Sequence, residues 1–330
     1  MLRDRYLWRH VTGIRVGLLT LRRAILILAV SAALLVLSVD RQPAPRVPRP
    51  ETTITLIAVG DVMLDRAVGR QIKRYGIKWP FKHVRDTLRL SDLSFCNLEC
   101  PLSAKGIKVP KPICFKADPA NVECLTDAGF DIVSLANNHS MDCSRPGLIE
   151  TMHYLDKARI AYTGAGDTPY DASLPTIVTV KGLRIALLAR NAWLPEGAWF
   201  RPDAPNSSYL DLETIESEVR DAAGQADVVI VSLHWGNEYH TTPREEQVEL
   251  AHRIVDAGAD LILGHHPHVL QKVEKYHGGV IAYSLGNFLF DSPFKNCKKT
   301  MILKCSLSKS GVSGLEQIPV TIEDYRPIAR

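Results

Sequence analysis

Five apolar runs in this chain each end on a polar side chain, and that recurrence restricts its fold more than any other feature. Thr53–Val59 runs into Gly60-Asp61, Leu93–Leu98 carries Asn97 and delivers Glu99, and Gly129–Ala136 gives way to Asn137-Asn138-His139. Ala226–Leu233 stops at His234, and Leu261–Leu263 passes through Gly264 to His265-His266-Pro267-His268. Runs of this length and composition read as buried strands. Segments of helical period lie between several of them: Leu148, Met152 and Leu155 share one face of 145–158, and Val248, Ala251, His252 and Val255 share one face of 245–258. Strands alternating with helices make an α/β fold, and the carboxyl ends of its strands are where side chains turn into a crevice.

Each polar terminus has an ordinary alternative reading. Gly-Asp pairs make turns, a single Glu after a strand is by default a solvated carboxylate, and a His-x-His pair more often packs than ligates. Five such events together are another matter, because every buried amide, imidazole or carboxylate needs a partner. Asp61, Glu99, Asn138, His139, His234, His266 and His268 form a mixed carboxylate, amide and imidazole set. That is the ligand palette of one or two divalent ions such as Mn, Zn, Fe or Mg, and Pro267 stiffens the turn on which His266 and His268 converge. Such ions clamp a substrate oxygen and activate water, so the set describes a hydrolase-type site. His252 reads as a helix-face residue, outside this set.

The rest of the chain bounds what surrounds the site. At 330 residues and 46% hydrophobic content it can bury a substantial core. The formal charge of +4 owes much to residues 1–23, where Arg3, Arg5, Arg9, Arg15, Arg22 and Arg23 face the single acid Asp4. Nothing beyond that arm argues for nucleic acid. Ala24–Val39 follows, sixteen residues without a charge. Behind a basic arm it reads as a signal anchor, one N-terminal transmembrane helix, with a cleaved secretory signal peptide as the alternative. In both cases the arginines stay cytoplasmic and everything after Asp40 is exocytoplasmic, on a single-pass protein of the cell membrane. Pro43, Pro45, Pro48 and Pro50 make residues 40–52 a semi-rigid tether, leaving 53–330 as the folded domain. Seven cysteines in an exported domain are compatible with disulfides whose pairing spacing does not reveal. Leu174–Val180 and Leu183–Ala189 flank Lys181-Gly182 as a hairpin, the loop 191–209 with Trp193 and Trp199 suggests a substrate-side wall, and Leu212–Ala226 is helical. Val280–Asn287, Met301–Leu307 and Leu315–Ile322 read as strands completing a second sheet.

In order, Gly60-Asp61-Val-Met63, Asn97-Leu-Glu99-Cys-Pro-Leu, Asn137-Asn138-His139-Ser-Met-Asp142, His234-Trp-Gly-Asn-Glu-Tyr, Gly264-His-His-Pro-His268 and Tyr283-Ser-Leu-Gly-Asn-Phe288 resemble the bacterial capsule-synthesis CapA family, over residues 53 to 325. That family is associated with poly-γ-glutamate and is similar in fold to the calcineurin-like metallophosphoesterases. The resemblance implies an α/β fold of two central mixed β-sheets flanked by helices, an αββα sandwich. It also implies metal ligands at Asp61, Glu99, Asn138, His234, His266 and His268, with His139 as the acid toward a leaving group and Asp142 orienting it. The implied partners are the membrane, other subunits of a capsule or poly-γ-glutamate synthase or export complex, and an anionic polymer or phosphoester substrate. An accessory that guides the polymer without cleaving it is the alternative. Two departures stand out: the phosphoesterase Asp-x-His is here Asp61-Val-Met63, and Glu99 stands where a bridging aspartate is usual. Asp65 is either an additional acid at the rim or a helix N-cap.

Overall fold

The computed structural model describes residues 51–194 and 201–329. The basic arm, the 24–39 run expected to be an anchor, nearly all of the expected tether and Trp199 lie outside the described residues. Among the described residues no helix is long and apolar enough to cross a membrane.

The first strand, β1 (Ile54–Val62), is buried at every position but Thr55. It continues through Gly60-Asp61 to Val62, beyond the expected end at Val59, and the turn that such pairs commonly make is absent. The reason is a close approach: a Cβ on Gly60 would stand 1.8 Å from the Gly286 carbonyl oxygen. The bare glycine lets the Asp61 amide donate to that same carbonyl at 2.9 Å, and the strand runs on.

Next come α1 (Arg66–Tyr75), α2 (Arg85–Leu88), β2 (Leu93–Leu98), α3 (Val122–Ala128), β3 (Ile132–Ser134), α4 (Ser144–Ala158), β4 (Ala161–Thr163), β5 (Ala165–Gly166) and α5 (Pro169–Ser173). The hairpin β6 (Thr176–Val180) and β7 (Leu183–Asn191) turns at Lys181-Gly182 as expected. Then follow β8 (Asn206–Ser207), α6 (Ile215–Ala223), β9 (Val228–His234), α7 (Glu245–Asp256) and β10 (Leu261–His265). The chain closes with β11 (Val273–Tyr276), β12 (Gly279–Ala282), β13 (Asn287–Leu289), β14 (Lys299–Ser308), β15 (Gly311–Glu323) and β16 (Arg326–Ala329).

Two mixed sheets result. The first has the order β16-β15-β14-β1-β2-β3-β4 with β13 also on β1, and the second has the order β11-β12-β10-β9-β7-β6. The C-terminal strands correct the sequence expectation. Of the strands expected in the second sheet only β12 joins it, whereas β13, β14 and β15 join the first, β14 lying antiparallel to β1 from Ile54↔Leu307 to Val59↔Ile302. Apolar content marks a strand as buried but does not say which edge it joins.

The core is divided by the sheets. Leu56, Ala58 and Phe95 of the first sheet meet Ile185, Ile230, Leu261 and Leu263 of the second in an apolar layer between them. Ile57, Val59, Cys96 and Val133 face the other way, onto Val68, Leu88, Leu125, Leu148 and Met152 of the helices. Leu188, Val231 and Ile262 do the same with Val219, Leu250 and Ile254. The alternating side chains of each strand thus serve two layers, and the helix–sheet–sheet–helix sandwich is the arrangement that buries both faces.

Candidate metal centre

Because β1, β2 and β3 are parallel to one another, and β7, β9 and β10 likewise, their carboxyl ends fall on common edges. Register sets the neighbours: Asp61 lies beside Asn97 and Asn287, and His234 beside His265. All the site residues expected from sequence come together here. Asp61, Glu99, Asp142, His139, His234, His266 and His268 are buried, and Asn138 is partly so.

Two groups of donor atoms stand out. Asp61, Glu99 and His268 each present a ligand atom, all within 4.8 Å of one another. His234 Nε2 lies 3.0 Å from Asn138 Oδ1 and 3.2 Å from His266 Nδ1. Neighbouring ligands about 2.0–2.2 Å from one ion stand roughly 3–3.6 Å apart, so His234 Nε2 stands at ligand spacing from each of the other two atoms. His268 Nδ1 is 2.9 Å from the Asn287 side-chain oxygen, a bond in which the ring N–H donates. Nε2 faces Glu99 Oε1 at 3.8 Å and is the nitrogen a metal would take once the ring gives up its proton.

The electrostatics fit a cation as well. Burial disfavours the Asp61 carboxylate, yet hydrogen bonds with His265 and His268 outweigh it and hold the group well below the usual carboxylate range. Burial, and then the Asp61 charge, push Glu99 well above that range. Its Oε1 is buried without a hydrogen-bond partner among the described residues. Burial followed by the neighbouring His266 takes His234 well below the ordinary imidazole value. Burial and then His268 bring His266 down to about 3. Those two rings are therefore neutral near pH 7, the form that ligates metals. Burial opposes the charge of His268, but Glu99 and the Asp61 hydrogen bond prevail and raise it to about 9. An orphaned carboxylate oxygen beside a second carboxylate, with neutral imidazoles aimed at the same space, is a donor set that a divalent cation satisfies.

Backbone strain points to the same turn. His266 and His268 have φ of 93° and 58°, in the region L side chains rarely occupy. Pro267 between them and the Gly264 contact hold this conformation: a Cβ on Gly264 would stand 1.9 Å from the Tyr283 carbonyl oxygen.

Residues 55–292 match the family described as bacterial capsule synthesis protein PGA_cap. The chain belongs to that family. Among capsule synthesis proteins it is 35% identical to "Capsule biosynthesis protein CapA" of Bacillus anthracis over 292 residues, 86% of this chain and 71% of the relative. It is 34% identical to "PGA biosynthesis protein CapA" of Bacillus subtilis over 272 residues, 82% of this chain and 72% of that one. A "Probable polyglutamine synthesis accessory protein" of Mycobacterium tuberculosis is 30% identical over 307 residues, 86% of this chain and 81% of that protein. In fold the capsule synthesis chain is similar to a 5'-nucleotidase precursor from Thermus thermophilus, with TM-score 0.51 and 14% identity over 84% of this chain and 55% of that one. A hypothetical protein from the same organism gives TM-score 0.51 and 17% identity over 80% of this chain and 98% of that chain. At such identities the likeness is one of fold, an α/β arrangement of two mixed sheets.

Sequence reasoning missed several supporting groups of this capsule synthesis protein. Asn97 Nδ2 donates to Asp61 Oδ1 at 2.8 Å and to Glu99 Oε2 at 3.3 Å, and its own oxygen accepts from Asn137 at 3.0 Å. His265 places Nδ1 3.1 Å from Asp61 Oδ1. Lys111 pairs with Asp142 and donates to the Asn138 carbonyl at 2.9 Å. The strand-end pattern contained the signal for Asn97 and His265, whereas a lysine in a loop carries none. Asp142 Oδ2 lies 2.8 Å from His139 Nδ1, the orienting contact expected of it. Asp65 occupies the N-cap position of α1 without capping it; its carboxylate accepts from the Lys116 amide at 2.8 Å. Met63 is buried in the helix-side core, its sulfur accepting from the Asp65 amide. His252 pairs with Glu274 away from the site, and the seven cysteines are free thiols. A cavity of about 390 Å³ opens beside His139, Asn138 and His266 and is walled by Trp193, Ile113 and Leu194.

Proposed function

We propose that this capsule synthesis protein is a membrane-anchored, exocytoplasmic hydrolase that holds one or two divalent metal ions and acts on an anionic polymer of the poly-γ-glutamate type. The observation that carries the reading is the convergence of Asp61, Glu99 and His268, with the Glu99 Oε1 atom buried and unsatisfied. Support for the polymer comes from the relatives in Bacillus, whose names specify capsule and PGA biosynthesis. Support for the anchor comes from the basic arm and the uncharged run of residues 24–39.

Asp61, Glu99 and His268 would hold one ion, and Asn138, His234 and His266 a second. Metal bound there supplies Lewis-acid polarisation and charge neutralisation for hydrolysis. The protein's own part is positioning and proton transfer. Asp142 fixes the Nδ1 side of His139, which turns its Nε2 toward Glu99 Oε1 at 3.9 Å and into the cavity. With Nδ1–H donated to Asp142 and burial holding the ring below the usual imidazole range, Nε2 is a free base that takes a proton from water in the cavity and passes it to the leaving group of a substrate held there. Trp193, whose ring centre lies 5.2 Å from that of His266, excludes water from one side.

The accessory reading, in which the cleft guides the polymer without cleaving it, is favoured by Met63, which removes one imidazole from the phosphoesterase donor set. The test is metal content of the purified full-length chain followed by turnover of poly-γ-glutamate and of a generic phosphodiester. Metal-dependent cleavage lost in Glu99→Ala, His234→Ala and His268→Ala is the expected result. Metal binding with no turnover of either substrate supports the accessory role, and no metal binding at all removes the hydrolase reading.

A further inference from the structure

We infer that Glu238 is a metal ligand, joining His266 and His268 at the mouth of the site and supplying the donor that Met63 cannot. The inference rests on the metal reading above. Glu238 itself is not among the six residues of that reading and belongs to a different segment, the loop after β9.

Three observations place Glu238 there. Its carboxylate and the ring nitrogens of His266 and His268 offer ligand atoms all within 4.8 Å of one another. His268 Nε2 stands 3.8 Å from Glu99 Oε1 and 4.0 Å from Glu238 Oε1, so the same nitrogen faces a buried carboxylate on one side and the loop carboxylate on the other. The loop is tied to the histidine turn on both flanks: the Trp235 amide donates to the His265 carbonyl at 3.1 Å and the Tyr239 amide to the Pro267 carbonyl at 2.8 Å. Gly236 and Tyr239 both take positive φ, 83° and 66°, to carry Asn237-Glu238 between those anchors. A non-glycine residue held at positive φ is a strained backbone kept for a purpose, and here it delivers one acid to two imidazoles.

The structural alternative of a surface acid held by a lysine or arginine fails on its surroundings. Among the described residues no lysine or arginine is within ion-pair reach of the Glu238 carboxylate, whose charged neighbour is His268. The side chain is 40% exposed and lines the cavity, so it is free to swing the short distance that ligation requires. Met63 meanwhile is committed to the core, which leaves the first donor group one ligand short of the phosphoesterase pattern. An oxygen donor in place of imidazole shifts the preference of the site toward harder ions such as Mn²⁺ or Mg²⁺ relative to Zn²⁺.

The experiment titrates Mn²⁺ into the full-length chain in detergent, after chelator treatment, by calorimetry, with ion content measured in parallel. Wild type, Glu238→Gln, Glu238→Asp and the exposed control Glu246→Gln are compared. Glu238→Gln should weaken at least one Mn²⁺ site tenfold or more, since loss of an outer partner of a ligand alone weakens binding 10–100-fold. Its melting temperature in chelator should match wild type, Glu238→Asp should fall between the two in affinity, and Glu246→Gln should bind as wild type. Equal stoichiometry and affinity in wild type and Glu238→Gln overturn the assignment of Glu238 while leaving the metal site standing. A wild-type chain that takes up no Mn²⁺ overturns the metal reading itself, and the inference with it.

Discussion

Replacing Glu99 by Gln should have opposite effects with and without metal, and the structure sets the size of each. In the metal-free protein Glu99 is fully buried, one of its oxygens has no partner, and Asp61 lies beside it. A neutral amide of the same shape removes a buried charge and its repulsion, a relief on the order of 1–3 kcal/mol. The folded carboxyl titrates above its unfolded counterpart, so wild-type stability in chelator falls as pH rises past the ordinary carboxylate range, until the folded group is itself ionised. The advantage of Glu99→Gln should therefore open with rising pH. With metal the order inverts. Saturation at a hundredfold excess over Kd is worth about 2.7 kcal/mol, and at about 2–4 °C per kcal/mol for a large domain wild type should gain roughly 5–10 °C. Glu99→Gln should lose most of that gain. Thermal melts of the two proteins at pH 6 and pH 8, in chelator and in Mn²⁺, read all four states. A variant that is less stable than wild type in chelator at both pH values, yet responds to Mn²⁺ as wild type does, would refute the argument that this buried acid is there for a cation.

The remaining predictions concern the same neighbourhood. Ligation needs a neutral His268 ring, and that ring holds its proton up to about pH 9 in the metal-free site, so metal affinity should climb with pH toward 9 and binding should release protons; calorimetry in buffers of different ionisation heat would detect this, and affinity falling with pH would contradict it. Gly264→Ala places a Cβ 1.9 Å from the Tyr283 carbonyl oxygen and must separate β10 from β12, a loss of about 3 kcal/mol or more by urea titration, whereas Gly182→Ala in the open hairpin turn meets no atom within 4 Å and should lose only the roughly 1–2 kcal/mol of left-handed strain. Asp142→Asn leaves the buried Lys111 ammonium without its partner and should destabilise by about 3–5 kcal/mol; adding Lys111→Met should restore much of that stability, and failure of the double variant to recover would show that the ion pair is not what Asp142 supports.

How much was legible before the fold was known follows from which interactions are local. The buried strands, the hairpin at Lys181-Gly182 and the helices at 144–158 and 245–256 are written in hydrophobic period and turn chemistry, which act over a few residues. Asn97 and Glu99 could be put on one side of the chain because strand alternation alone does it, and Asn97 does reach the Glu99 carboxylate. Lys111 could not be found this way: its partner Asp142 is brought to it by a loop whose course depends on contacts such as the Val109 amide with the Asp142 carbonyl. Glu238 has no local signal either, because it is brought to the histidines by the bond of the Tyr239 amide to the Pro267 carbonyl.

By itself the sequence determined that strands end in acids, amides and imidazoles, because apolar run and polar stop are properties of neighbouring residues. Only the tertiary structure decided that these stops share one edge, since that depends on parallel pairing between segments as distant as Asp61 and His265. It also decided that β14 and β15 extend the first sheet and that Met63 turns into the core. Strand partners are chosen by the packing of whole layers, and no single segment contains that information.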